Sequence, residues 1–239
     1  MDHAPRTPRA ALGRGGPVSP TRTEPPTDQA TVMPANQASC EDPQTVFGSR
    51  GPAAICQCQR YKLAPKEAFK SYPPEERARR LNEQTHCGKP SAATTSGLVA
   101  YLEGEPVGWC AVEPRPAYDG LLRVYRVPWE GRTEDKADES VWAVTCVFTR
   151  AGFRRRGIGY ALTRAAVDFA RDRGARALEG YPMLTRAGED ITWGELNMGT
   201  RSMFAAAGFT EVSNPSPRRA VMRVDFENDP PKDKEGASG

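Results

Sequence analysis

The chain reads as an α/β protein, and three neighbouring observations lead there. Val141, Trp142, Ala143, Val144, Cys146, Val147 and Phe148 form a nearly continuous apolar run. It is too short for most helices and rich in β-formers, which suits a strand covered on both faces. Ile158, Leu162, Ala165 and Phe169 then fall at i, i+4, i+7 and i+11, one stripe of an amphipathic helix, and Gly174 stands where a helix C-terminal glycine belongs. Arg176 to Tyr181 follow as a second strand, so the unit implies a right-handed parallel crossover.

Between the first strand and the helix lies Arg154-Arg155-Arg156-Gly157-Ile158-Gly159. A helix N-terminus carries partial positive charge and unpaired N–H groups, so each cation there costs about 0.3–1 kcal/mol. Three arginines make sense if an anion sits over the turn and collects both the N–H groups and the guanidinium charge. Gly157 and Gly159 let that anion approach the backbone. No Gly-Lys-Ser/Thr follows, which excludes a Walker A loop, and no third glycine completes a dinucleotide fingerprint.

The turn resembles the acyl-CoA loop of the GCN5-related N-acetyltransferase (GNAT) family: Arg154, Gly157 and Gly159 match its pattern, with a strand before and a helix after. Leu98–Val112, turning at Glu103-Gly104-Glu105, is similar to the family's early hairpin. Ala175–Tyr181 looks like its strand after the central helix, and Ser202 to Phe209 like its late helix ending in Gly-Phe. The resemblance runs from about Gly51 to Phe226. It implies an α/β fold with a central mixed sheet, middle strands splayed apart and helices on both sides. It also implies acetyl-CoA as co-substrate, with no metal, and direct transfer of the acetyl group to an amine in a ternary complex. Carried over by position, the cofactor residues are Arg154, which opens the motif, Arg155, Arg156, Gly157, Ile158, Gly159 and Tyr160 for the diphosphate, the backbone groups of Val147, Phe148 and Thr149 for the pantetheine arm, and Asn197. The Val147 N–H would polarise the thioester oxygen.

The catalytic groups depart from the pattern. The family's usual acid, a tyrosine four residues before the late Gly-Phe, is Phe204 here, leaving water, Tyr181 or Cys146 to protonate the thiolate. The usual basic glutamate falls on Ala143. Glu179 is the first substitute, because an ionised group within a short strand is costly unless it is paired or used; the bland reading is that it faces solvent or pairs with an arginine. Glu139 is second and His86 third, a histidine near a helix end being more often a cap.

The rest of the sequence sets bounds. With 239 residues, 38% hydrophobic, there is material for one sizeable core. A net charge of +3 does not suit a dedicated nucleic-acid protein. No run approaches the ~18 apolar residues of a membrane span, and no apolar signal core opens the chain; the expectation is a cytoplasmic protein without membrane or nucleic-acid partners, monomeric or homodimeric. The expected division is a disordered proline-rich tail over 1–50, one acetyltransferase domain over 51–228, and a charged tail over 229–239. The six cysteines are expected as thiols; a zinc alternative would draw on Cys56, Cys58, His86 and Cys87. Pro73–His86 reads as a helix, Pro182–Leu196 as a long loop, Asn197–Ala207 as the late helix, and Glu211 to Phe226 as a last hairpin. In Glu130–Glu139 carboxylates outnumber cations. A solvated loop is the default there, an acidic lip for a cationic amine the functional reading. The acceptor is a small-molecule amine or a protein amino group, and the alternative function is a non-catalytic acyl-CoA-binding module.

Overall fold

The computed structural model describes residues 30–123, 127–184 and 197–226. The expected charged tail, most of the expected proline-rich tail and most of the Pro182–Leu196 loop lie outside these. The described residues form a seven-stranded sheet in the order β1-β2-β3-β4-β5-β7-β6: β1 Ala30–Pro34, β2 Gly97–Leu102, β3 Glu105–Pro114, β4 Val141–Thr149, β5 Ala177–Gly180, β6 Thr210–Ser216 and β7 Arg219–Asp225. β4 and β5 are parallel and every other neighbouring pair is antiparallel. This is the mixed sheet the sequence leads one to expect.

The helix between β4 and β5, α5 (Ile158–Arg171), buries Ile158, Leu162, Ala166, Val167, Phe169 and Ala170. They pack on Ala100, Val107, Cys110, Val112, Val144 and Leu178 of the sheet. Its end is a Schellman turn: Ala175 N–H donates to Ala170 O at 3.1 Å and Gly174 N–H to Arg171 O at 2.9 Å. The late helix, α6 (Arg201–Ala206), is shorter than expected. The Thr200 hydroxyl accepts from Met203 N–H and starts it, so Asn197 stands ahead of the helix, not on it.

The opposite face carries α1 (Glu41–Phe47), α2 (Pro52–Cys56), α3 (Pro74–Thr85) and α4 (Asp119–Arg123). Here the expected boundary at residue 50 is corrected. β1 pairs with β2, and Ala35, Ala38, Val46 and Phe47 are buried against Val99, Trp109 and Phe148. The apolar residues that do this are few and follow a proline-rich stretch, so composition averaged over residues 1–50 hides them. β1 is a sheet edge, where Pro34 is tolerated.

The expectation of thiols is also corrected at two positions, since Cys40 and Cys87 form a disulfide. The same stretch is sewn down by Gly88 N–H to Ala38 O at 2.8 Å and by the Asn36 amide to Pro90 O and Ala92 O at 3.2 Å each. Cys56, Cys58, Cys110 and Cys146 are free thiols. With Cys87 oxidised, the zinc quartet does not assemble, and no other metal-holding group occurs among the described residues. No helix among them is long and apolar enough to cross a membrane.

Two features of β4 set up the site. First, its pairing with β5 covers only Val141–Val144 against Ala177–Gly180, and β4 runs on to Thr149 paired with β3 alone. The middle strands are splayed. Second, the β3–β4 register shifts between Val112↔Val144 and Ala111↔Cys146, leaving Thr145 as the extra residue of a bulge. Trp142 and Val144 face α5 before the bulge, and Val147 does so after it; Ala143, then Phe148, lie on the other face.

Candidate functional site

The splay of β4 from β5 and the first turn of α5 enclose a cavity of about 330 Å³. Val147 and Thr149 form its strand wall, Arg154, Arg155, Gly157, Ile158, Gly159 and Tyr160 its helix end, and Asn197, Thr200 and Met203 its far side. The Phe148 ring lies on the opposite face, edge-on to the Phe47 ring, while its expected role is that of a backbone group between Val147 and Thr149; Arg156 is turned over the Phe153 ring, 5.4 Å from its centroid. Thr200 and Met203 escaped sequence reading because they belong to a helix whose start was misplaced. Gly157 has φ 77°, the left-handed region that a glycine enters without strain. A Cβ on Gly159 would stand 2.7 Å from Met203 Cε, so the small residue permits the close approach of α6 to α5. The Tyr160 hydroxyl donates to Ser202 Oγ at 3.2 Å and ties the same two helices.

The Val147 N–H does not point into empty space. It donates to Asn197 O at 2.7 Å. Three residues on, Thr200 bridges Met183 in parallel. Asn197–Thr200 therefore lies in the wedge that opens beyond Val144 and Gly180, and its carbonyl occupies the donor expected to polarise the thioester.

On the other face, three positions stand in one row. Ala143 is flanked by Glu113 on β3 and Glu179 on β5. Side chains in register share a face about 5 Å apart, so the carboxylate missing at Ala143 is present one strand away on either side. Both are committed. Glu113 pairs with Lys62. Glu179, fully buried, accepts from Arg223 at 3.1 Å, Arg115 at 3.4 Å, the Tyr181 hydroxyl at 2.9 Å and Arg132. Burial works against its charge, but the Arg132 guanidinium, then Arg115, outweigh it and hold the carboxyl below its usual range. A carboxylate so strongly held is a poor proton acceptor, and the expectation of Glu179 as base is corrected: the pairing alternative is what the fold contains. Glu139 is exposed ahead of β4, at the end away from the splay. His86 is the left-handed cap of α3, φ 51°.

The same network accounts for the carboxylate-rich loop. Glu134 pairs with Arg132 and with Arg223 at 3.3 Å, Asp138 with Arg176 at 2.6 Å, and the Asp135 carbonyl accepts from Arg115. Glu134 and Asp138 are thereby paired with arginines, so the acidic-lip reading loses part of its charge. Of the expected acids, Tyr181 is buried with its hydroxyl turned to Glu179, and burial first, then the Glu179 charge, pushes its pKa well up. Cys146 lines a small recess at the bulge with Cys56, Cys58, Tyr61, Thr145, Asn197 and Met198. Phe204 is sealed in the core, its ring against Gly180 and Gly199 and 5.0 Å from Phe209.

The acetyltransferase (GNAT) family model matches residues 59–182, more than half the chain. The chain belongs to that family. As a GNAT protein it is an N-acyltransferase, and the residues matched run from Gln59 across the bulged strand, the arginine turn and α5 to Pro182, just past β5. No curated relative matches. Similarity to solved structures is found at low identity. One is yncA from Salmonella typhimurium, solved with its cofactor acetyl-CoA (13% identity, 84% of this chain and 96% of that one, TM-score 0.48). A second is the ribosomal-protein-alanine N-acetyltransferase of Brucella melitensis (18%, 82% and 99%, 0.45). A third is the PaiA N-acetyltransferase of Thermoplasma acidophilum in complex with coenzyme A (12%, 82% and 99%, 0.45).

Proposed function

We propose that this GNAT protein transfers the acetyl group of acetyl-CoA directly to an amine in a ternary complex. The observation that carries this reading is the cavity at the splay, where the stretch of β4 beyond the end of β5 and the arginine turn supply backbone donors and positive charge to one space. In the reaction the amine nitrogen forms a bond to the thioester carbon, the carbon–sulfur bond breaks, and the amine proton passes by way of water to the leaving thiolate. The diphosphate would lie over Arg154, Arg155 and the N–H groups of Gly157–Gly159. The thioester oxygen would take the Val147 N–H from Asn197 O.

Because Glu113 and Glu179 are both committed, the neutral amine is drawn from solution. A thiolate whose pKa is near 8.5 leaves without a dedicated acid. The log of the rate should then rise with unit slope in pH up to the acceptor's own pKa, with no further break from a protein carboxylate. Thiol release from acetyl-CoA against an amine panel, followed across pH, tests this; a break near pH 5–6 common to every acceptor would assign the proton to the protein instead. Thermal shift with acetyl-CoA, CoA and adenosine 3′,5′-bisphosphate tests the grip, since ligand at 100 times its Kd stabilises by about 2.7 kcal/mol. No shift with any of the three would sink the reading.

A further inference from the structure

A larger cavity, about 630 Å³, lies on the other face of β4, between the α1–α2 turn and the strand's end. Val46, Phe47, Ala53 and Phe148 form its apolar floor, and Arg50, Arg150 and Arg154 its charged rim; no carboxylate lines it. Arg150 has a partner, Glu105 at 3.0 Å. The Arg50 side chain has no hydrogen bond or ion pair among the described residues. Arg154 also lines the cofactor cavity, so the two spaces meet at one guanidinium from opposite faces of the strand. The volume is that of a small-molecule site. Phe148 in its floor is two residues, about 7 Å, from Cys146 at the bulge.

We propose that this cavity binds the acceptor, and that the acceptor is a small amine bearing a phosphate or carboxylate, its oxyanion held by Arg50 and Arg150 and its nitrogen directed along β4 toward Val147. Guanidinium groups bind such oxyanions through paired, charge-assisted N–H bonds. This deepens the acetyl-transfer reading and rests on it. It reverses the charge preference that the Glu130–Glu139 loop suggests in sequence, where two of the carboxylates, Glu134 and Asp138, are paired with arginines in the fold.

The test uses the full chain and matched probes: 2-aminoethyl phosphate and 3-aminopropyl phosphate, β-alanine and γ-aminobutyrate, and the neutral ethanolamine, 3-aminopropanol and β-alaninamide. Binding is titrated calorimetrically with and without CoA, and thiol release from acetyl-CoA is measured in parallel. The anionic probes should bind at least tenfold more tightly than the neutral ones. Arg50→Glu should remove that preference while the Kd for acetyl-CoA stays within twofold. Comparison of the phosphate with the carboxylate probes identifies which oxyanion the site takes.

Equal binding of anionic and neutral probes, or of neither, overturns the proposal. So does a loss in Arg50→Glu that falls on acetyl-CoA but spares 3′-dephospho-acetyl-CoA, since the cavity would then hold the cofactor's own phosphate. Selective binding of the anionic probes without thiol release supports the site and counts against acetyl transfer alone.

Discussion

On its α5 side, β4 meets Val112, Ile158 and Leu162 through Val144 and Val147, an apolar wall that ends in the cavity at the splay. On its other side the same strand stands beside a buried carboxylate gripped by Arg115, Arg132 and Arg223. The first face is held by area removed from water and the second by charge neutralised out of water. The two respond to different insults. A methylene trimmed from the α5 face costs roughly 1 kcal/mol. A single partner removed from the charged face leaves ions uncompensated in the interior.

The largest expected effect therefore lies on the charged face. Glu179→Ala should destabilise by about 3–5 kcal/mol, read as a drop in denaturant midpoint. A loss below 1 kcal/mol would mean that the arginines reach solvent and the contrast between the faces is false. The same face should set the acid limit. The folded pKa of Glu179 is lowered, and that of Glu67, hydrogen-bonded by Arg80, falls to about 2. A depressed carboxyl contributes stability that is present above the unfolded value near 4.3 and is lost as pH falls through the folded one. Thermal midpoints should hold above about pH 5 and drop steeply toward pH 2, and the Glu179→Gln variant should show a shallower slope.

Next in size is the staple beneath that face. The Cys40–Cys87 bond closes 47 residues, and its reduction or Cys40→Ser should cost about 2–4 kcal/mol without altering affinity for acetyl-CoA. An altered affinity would show that the two faces are coupled through β3.

On the cofactor face, Gly157→Glu should weaken acetyl-CoA at least tenfold, by bulk and like charge, at about 1–2 kcal/mol of stability for a side chain in the left-handed region. Normal binding by that variant would remove the anion cradle. Smallest is Thr200→Ala, which deletes the cap of α6 for about 1 kcal/mol; circular dichroism and a melting curve suffice to check it.

The two faces also differ in how far the sequence reveals them. The α5 face is periodic: Ile158, Leu162 and Phe169 recur at helical spacing, and the run from Val141 to Phe148 is one element. The arginine turn was visible because cations are out of place at a helix N-terminus. The charged face has no period. Arg115, the Arg132–Glu134 loop, Glu179 and Arg223 come from four separate places in the chain, and nothing local marks them as one cluster. Glu179 could be singled out as anomalous in a strand, but whether it was used or merely paired depended on partners far away in sequence. The bulge at Thr145 was hidden too, because in a strand apolar on both sides of that residue a slip in alternation changes no polar pattern. Phe204 and Ala143 were readable as departures from the family pattern; the register that sets Glu113 and Glu179 on either side of Ala143 was not.

On the proposed reading, the carbonyl of Asn197 on the Val147 N–H makes cofactor entry an exchange and not an addition. An arm that displaced it would gain one hydrogen bond and cost the protein another, so that contact would be close to thermoneutral. Attraction would then come from the far end of the molecule, the nucleotide and its diphosphate, which are proposed to lie over the arginine turn. Short thioesters such as S-acetyl-N-acetylcysteamine, which share the reactive group but lack that handle, should be nearly inert, however reactive they are in free solution. The protein would in this way withhold its electrophile-activating donor from any thioester that does not arrive with the right label attached.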